Sequence, residues 1–222
     1  FLRVIREDPK VPGLLYGGGE RGFYISFNGG DHWERFQLNL PIVPITDLIV
    51  RDNDLVAATQ GRAFWILDDL GAIQQSKGDF DEAAMALFEP KPTVLFEGGG
   101  RYRGSAPVGS NPMNGVVLHY YLAEAVDSQE VTLDIMDVEG NTIRSYSNKP
   151  DKSYKSYPGG PSRPRTIPAK AGVNRFNWDF RHGQVLDVPG VFIYGSFRGR
   201  RVAPGTYQAR LTMGDESETV RF

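Results

Sequence analysis

Cysteine is absent from this sequence. Without it there is no disulfide framework and no thiolate metal site, while the compartment stays open. Histidine is scarce: His32, His119 and His182 fall in separate segments, none with a second ligand at helical or hairpin spacing, so neither a metal nor another cofactor is expected. Neither sign of charge dominates. The 25 lysines and arginines nearly balance 27 aspartates and glutamates, leaving a net charge of −2, which argues against a broad basic face for nucleic acid. No apolar run approaches the ~20 residues that span a bilayer, and no signal-peptide pattern opens the chain. Helical periodicity is nearly missing too. The one segment that reads as a helix is DFDEAAMALF, residues 79–88, with acids in its first turn and Pro90 after it.

What is plentiful is turn formers and aromatics: 26 Gly, 15 Pro, 13 Phe and 10 Tyr. Short alternating segments between Gly and Pro turns predict an all-β protein. Domains commonly run to roughly 100–200 residues, so the chain has room for one large or two modest ones. It opens directly in an alternating pattern, FLRVIRED, and a piece of something longer is therefore expected.

The first seventy residues repeat. A shift of about 41 positions lays LLYGGGERGFYISFN (14–28) over LVAATQGRAFWILDD (55–69), matching Leu14 with Leu55, Arg21 with Arg62, Phe23 with Phe64 and Ile25 with Ile66. Upstream, VIRED (4–8) resembles IVRDN (49–53). A period of about 40–45 residues holding several short strands is that of a propeller blade. Each copy predicts a strand (2–6, then 46–51), a second (14–18, then 55–59) and a third (23–27, then 64–68). HWERFQL (32–38) closes the first copy, and TVLF (93–96) is the candidate for closing the second.

Between the third and fourth strands of the first copy stands YISFNGGDHW (24–33), in which Ser26, Asn28, Gly30 and Trp33 occupy the places of the Asp-box pattern Ser-x-Asp-x-Gly-x-x-Trp. A short polar side chain at Asn28 can bond the amides of its own turn, and the glycines supply positive φ. The second copy keeps Asp69 and Gly71 but loses the serine and tryptophan. That decay suits a turn that stabilises the fold and not one that carries catalysis. With LNLPIVPITDLIV and the two aligned segments, these residues resemble the Asp-box (BNR-repeat) propellers, and more closely the bacterial relatives of the sortilin ectodomain; Asn28 and His32 depart from the usual aspartate and threonine. The resemblance covers roughly the first seventy residues. It implies two four-stranded blades of a larger propeller, the remaining blades as partners, an exported location, and a disc that binds a carbohydrate or protein ligand. Members of that family are often labelled glycosyl hydrolases or sialidase-like, so a carbohydrate-active hydrolase with its catalytic residues upstream is the alternative.

Past Phe96 the pattern changes. EGGGRYRGSAPVGSNP (97–112) reads as a turn-rich linker, and its glycines lack the Gly-Lys-Ser/Thr ending of a phosphate loop. GVVLHYYLA (115–123), VTLDIMDVEGNTIRSYS (131–147) with a hairpin turn at Glu139-Gly140-Asn141, VNRFNWDFRH (173–182) with a buried Trp178, and APGTYQARLTMGDESETVRF (203–222) supply further strands. About five to seven short strands with aromatic cores suggest an Ig- or fibronectin-like sandwich over residues 97–222, after propeller blades over 1–96. AGVNRFNWDFR and APGTYQARL resemble the small sandwich modules that end many secreted bacterial proteins, including the flagellar hook-capping type. Two long inserts interrupt it: a basic, Pro-rich one at 148–168 and a second at 182–201, whose apolar run Val191–Tyr194 would mark a docking surface if exposed but reads rather as a buried strand.

The carboxylates Glu20, Glu34, Asp47, Asp68 and Asp69 show no spacing that selects the facing pair a glycosidase needs. No catalytic residue is therefore assigned. Arg62, Trp65 and Asp68 are the candidates for a binding surface, because blade turns near the inner strand face a propeller's channel; Arg21 and Tyr24 invite the same judgement. Each also has a plain structural use in pairing, packing or capping its turn. Lys149, Lys152, Lys155, Arg163 and Arg165 in the basic insert could grip an acidic partner, although such runs are more often solvated loops.

Overall fold

Each alternating segment of the first seventy residues is extended, and turns rich in Gly, Asn or Asp separate them. The structure is a computed structural model and describes residues 1–76, 78, 80, 83–95 and 114–222. The protein is all-β: four antiparallel sheets and, among the described residues, one short helix. Contacts divide it into two units, Phe1–Asp81 and Glu82–Phe222.

In the first unit, β1 (Leu2–Glu7), β2 (Leu15–Gly19), β3 (Gly22–Ser26) and β4 (Glu34–Arg35) form one sheet in sequence order, and β5 (Ile45–Arg51), β6 (Asp54–Thr59) and β7 (Phe64–Leu67) form a second. Val4, Tyr16, Phe23 and Ile25 of the first sheet share a core with Ile45, Leu48, Leu55 and Ala57 of the other. Gly18 sits where the two sheets meet. A Cβ there would lie 2.6 Å from Ile45 Cγ2 and 2.9 Å from Val4 Cγ1, so only hydrogen fits.

Strand register refines the alignment of the two segments. Leu15 pairs with Ser26, and Leu55 pairs with Leu67, so the counterpart of Leu55 is Leu15 and not the neighbouring Leu14. The one-residue slip is absorbed in the turn. Gly19 faces Gly22 across Glu20-Arg21, whereas Thr59 donates its amide to the Ala63 carbonyl across Gln60-Gly61-Arg62. With that correction the faces correspond: Phe23 and Ile25 are 4% and 2% exposed against the second sheet, while their counterparts Phe64 and Ile66 are 74% and 59% exposed.

Three expectations need correction. The described residues of the segment 79–88, which are 80 and 83–88, form no helix. The described helix is α1 (Gly71–Ser76), and Met85–Leu87 is β8, paired with a later strand so that Met85 and Leu87 both enter a core. Asp79, like residues 81 and 82, lies outside the described residues. Thr93–Leu95 is not a strand (Phe96 is outside the described residues), and Leu95 packs on the core of the second unit; the sheet of β5–β7 has three strands. Val191–Tyr194 is neither a strand nor buried. The segment 97–112 lies outside the described residues.

The second unit adds β9 (Val116–Leu122), β10 (Val131–Met136), β11 (Thr142–Ser147), β12 (Gly172–Trp178), β13 (Gln208–Met213) and β14 (Glu216–Arg221). Its sheets are ordered β12-β9-β8 and β11-β10-β13-β14. Alternate residues of both meet in one core, with Leu118, Tyr120 and Phe176 from one and Leu133, Ile135 and Leu211 from the other. Trp178 is wholly buried at the end of β12, its indole N–H donating to the Arg181 carbonyl at 2.9 Å and its ring edge-on to Tyr207. The sheets are tied along both margins. On one, the Glu218 carboxylate of β14 accepts the Leu87 amide of β8 at 2.7 Å. On the other, Ile167 donates its amide to the Ser147 carbonyl of β11, and Arg165 donates to the Asn177 carbonyl of β12.

Candidate functional site

The Asn28 turn closes upon itself. Asn28 Oδ1 accepts the Ser26 hydroxyl at 3.0 Å and the His32 amide at 2.8 Å, while Ser26 Oγ accepts the Gly30 amide at 3.0 Å. Gly29 and Gly30 take φ of +71° and +98°, the left-handed region that favours glycine. Trp33 folds its ring back over β2, where a Cβ on Gly17 would come within 2.8 Å of it. Donors and acceptors of this turn are engaged with one another, so its chemistry is that of a local clamp. In the second copy Asp69 plays the equivalent part: its Oδ1 accepts Asn53 Nδ2 and the Gly71 amide, each at 3.1 Å.

Arg62, Trp65 and Asp68 do not converge. The Trp65 indole N–H donates to the Arg62 backbone carbonyl at 3.0 Å, and its ring joins Phe23, Phe36, Leu40 and Leu55 around a cavity of about 60 Å³. That volume holds no ligand of consequence. Arg62 is exposed and makes no ion pair among the described residues; Asp68 is half-buried and does not line the cavity. Arg21 and Tyr24 come together instead. With Phe1, Leu2, Glu20 and Trp33 they line an open hollow of about 560 Å³ on the outer face of β1–β3, where Glu20 is held by Arg3 at 2.6 Å.

Three of the carboxylates, Glu20, Asp47 and Asp69, have structural partners. Asp47 pairs with Arg6 at 2.7 Å and also accepts the Leu48 amide at 2.9 Å. The residue that sequence reasoning missed is Asp8. Buried at the end of β1, it accepts the Lys10 and Val11 amides at 2.8 and 3.0 Å through one oxygen, and the Tyr16 hydroxyl and Gln74 Nε2, both at 2.8 Å, through the other. Burial, and then the bond to Asp8, pushes the Tyr16 hydroxyl far above the ordinary tyrosine range. Its only sequence signal is its place in VIRED, opposite Asn53 of the second copy.

Among the described residues no group of three His, Asp or Glu side chains could hold a metal ion. No described helix is long and apolar enough to cross a membrane. No protein-family model, no curated protein and no solved structure matches the chain.

Proposed function

We propose that the first unit is a pair of consecutive blades of a larger Asp-box-type propeller. The chain then has a non-catalytic role: it completes a disc that binds a carbohydrate or protein ligand, and the second unit is an Ig- or fibronectin-like module that braces the disc or docks a partner. One observation carries this reading. The apolar face that β1–β4 buries against its neighbour recurs at counterpart positions, Ile49, Phe64 and Ile66, as the exposed outer face of β5–β7. A domain of two facing sheets keeps its outer faces polar. A front-to-back stack of like sheets hides such a face only under another like sheet, as propellers and solenoids do. The engagement of Asp8, Glu20, Asp47 and Asp69 in folding contacts supports the non-catalytic half of the reading. An exported location belongs to the same proposal and rests on the resemblance.

The test is a Phe64→Ser, Ile66→Thr double variant compared by light scattering and hydrophobic-dye binding. The unsubstituted chain should self-associate and bind dye, and the variant should do neither while keeping its urea midpoint, because both side chains are mostly exposed. A monodisperse parent that binds no dye, or a variant that loses its fold, overturns the stacking argument. Aryl glycosides should not be turned over; sustained turnover lost on substituting one carboxylate would overturn the non-catalytic assignment.

A further inference from the structure

Five arginines from distant parts of the sequence line one hollow of the second unit. Arg144 comes from β11, Arg163 and Arg165 from the basic insert, Arg181 from the segment after β12, and Arg198 from the end of the second insert. Together with Ser162, Asp179, Gln184 and Gly199 they enclose about 300 Å³. Asp179 is the one carboxylate in the lining, and it pairs with Arg144 at 3.0 Å. The other four have no carboxylate partner among the described residues. Arg165 and Arg181 donate to the Asn177 and Gly199 carbonyls at 3.0 and 2.9 Å, and Arg163 lies over the Tyr154 ring at 5.6 Å.

Two of these guanidinium groups also lie over rings of the core. Arg144 stands 4.9 Å from the Tyr146 ring centre and Arg165 4.7 Å from that of Phe176, and those two rings meet edge to face at 4.5 Å in the core. Gathering like charges is unfavourable unless an anion offsets them. Planar forks fixed in advance by carbonyls and rings lose little freedom when an oxyanion arrives.

An aromatic shelf adjoins the hollow. Ser162, Gln184 and Arg198 also line a neighbouring depression whose far side is Phe192 and Tyr194, edge to face at 5.1 Å and both exposed. The shelf is held in place: Phe192 packs on Gly159, and the Tyr157 hydroxyl joins the two inserts by donating to Asp187 at 2.8 Å. The combination suits a ligand whose acidic group enters the arginines while a flat C–H face lies on an exposed ring. A peptide adding to the sheet as a strand would need a free edge, and at the end of β11 the Ser147 carbonyl already accepts the Ile167 amide.

We infer that the second unit binds an acidic sugar residue, its carboxylate or sulfate among Arg144, Arg163, Arg165, Arg181 and Arg198 and its ring on the Phe192–Tyr194 shelf. The site lies wholly within this unit and does not depend on the propeller reading.

Calorimetric titration of the chain with hexagalacturonate and with a heparin-derived hexasaccharide tests it, the two arms separating carboxylate from sulfate. At least one should bind saturably, and methyl-esterified hexagalacturonate should not. Arg163→Ala and Arg198→Ala should each weaken binding about tenfold, and Tyr194→Ala about threefold. These side chains are exposed, so their variants should retain the parent circular dichroism and urea midpoint. Lys152→Ala, in the same insert but outside the hollow, should stay within about twofold. Binding of neither oligosaccharide, equal binding of hexaglutamate, or a loss with Lys152→Ala as large as with Arg198→Ala would overturn the inference.

Discussion

Asp8 shows how much one side chain can organise when burial leaves it no water. Its four donors come from its own turn, from β2 and from α1, so the carboxylate fixes the end of β1 against the helix. Removing it strands the Tyr16 hydroxyl and the Gln74 amide in the interior, and each such orphan costs about 1–3 kcal/mol. Asp8→Ala should therefore lower stability by roughly 3 kcal/mol, read from urea unfolding, and Asp8→Asn by less, because the amide keeps an acceptor for the turn. A loss below about 0.5 kcal/mol for the alanine variant would contradict this account. The role was hidden in the sequence because Gln74 is 66 residues away. Ser26, Asn28 and Gly30 were legible for the opposite reason: every partner of the turn is local, so the pattern and the hydrogen bonds coincide.

Among elements, the strands β1–β3 and β5–β7 were legible because each segment carries its own strand and turn signals. The slip by one residue between the two segments was not, since only register shows that the second turn is one residue longer. Residues 85–87 misled for a physical reason. AAMALF has high intrinsic helix preference, but that preference is worth only tenths of a kcal/mol per residue and yields to the pairing and burial of Met85 and Leu87 beside β9. Val191–Tyr194 misled because an apolar run looks the same whether buried or displayed. The close contact of the first two sheets gives a prediction at this scale. Gly18→Ala drives a methyl against Ile45 and Val4 and should destabilise by about 1–3 kcal/mol. The complementary Ile45→Ala, combined with it, should recover part of that loss in the same urea assay; strict additivity would mean that the two residues do not meet.

For the whole molecule, stability should fall on the alkaline side. Tyr16 in the first unit and Tyr120 and Tyr146 in the second are raised, by burial before any other cause, and Tyr146 reaches about 12. A group whose folded value exceeds its unfolded one stabilises fully below the unfolded value of about 10 and loses that contribution as pH rises further. Urea midpoints should hold flat up to about pH 10 and decline from there to 12. Tyr146→Phe should shrink the decline, since the hydroxyl is buried without a hydrogen-bond partner among the described residues and its removal leaves nothing stranded. An unchanged midpoint across that window would show these phenols ionising freely.

The tie between Leu87 and Glu218 bears on when the second unit can assemble. The two residues are 131 positions apart. At roughly 5–20 residues per second of synthesis, β8 emerges some 7–26 s before the carboxylate that receives its amide exists. During that interval β8 is an unshielded edge, open to mispairing or to a chaperone. Closure of this half waits for the synthesis of β14, long after β8 has left the ribosome.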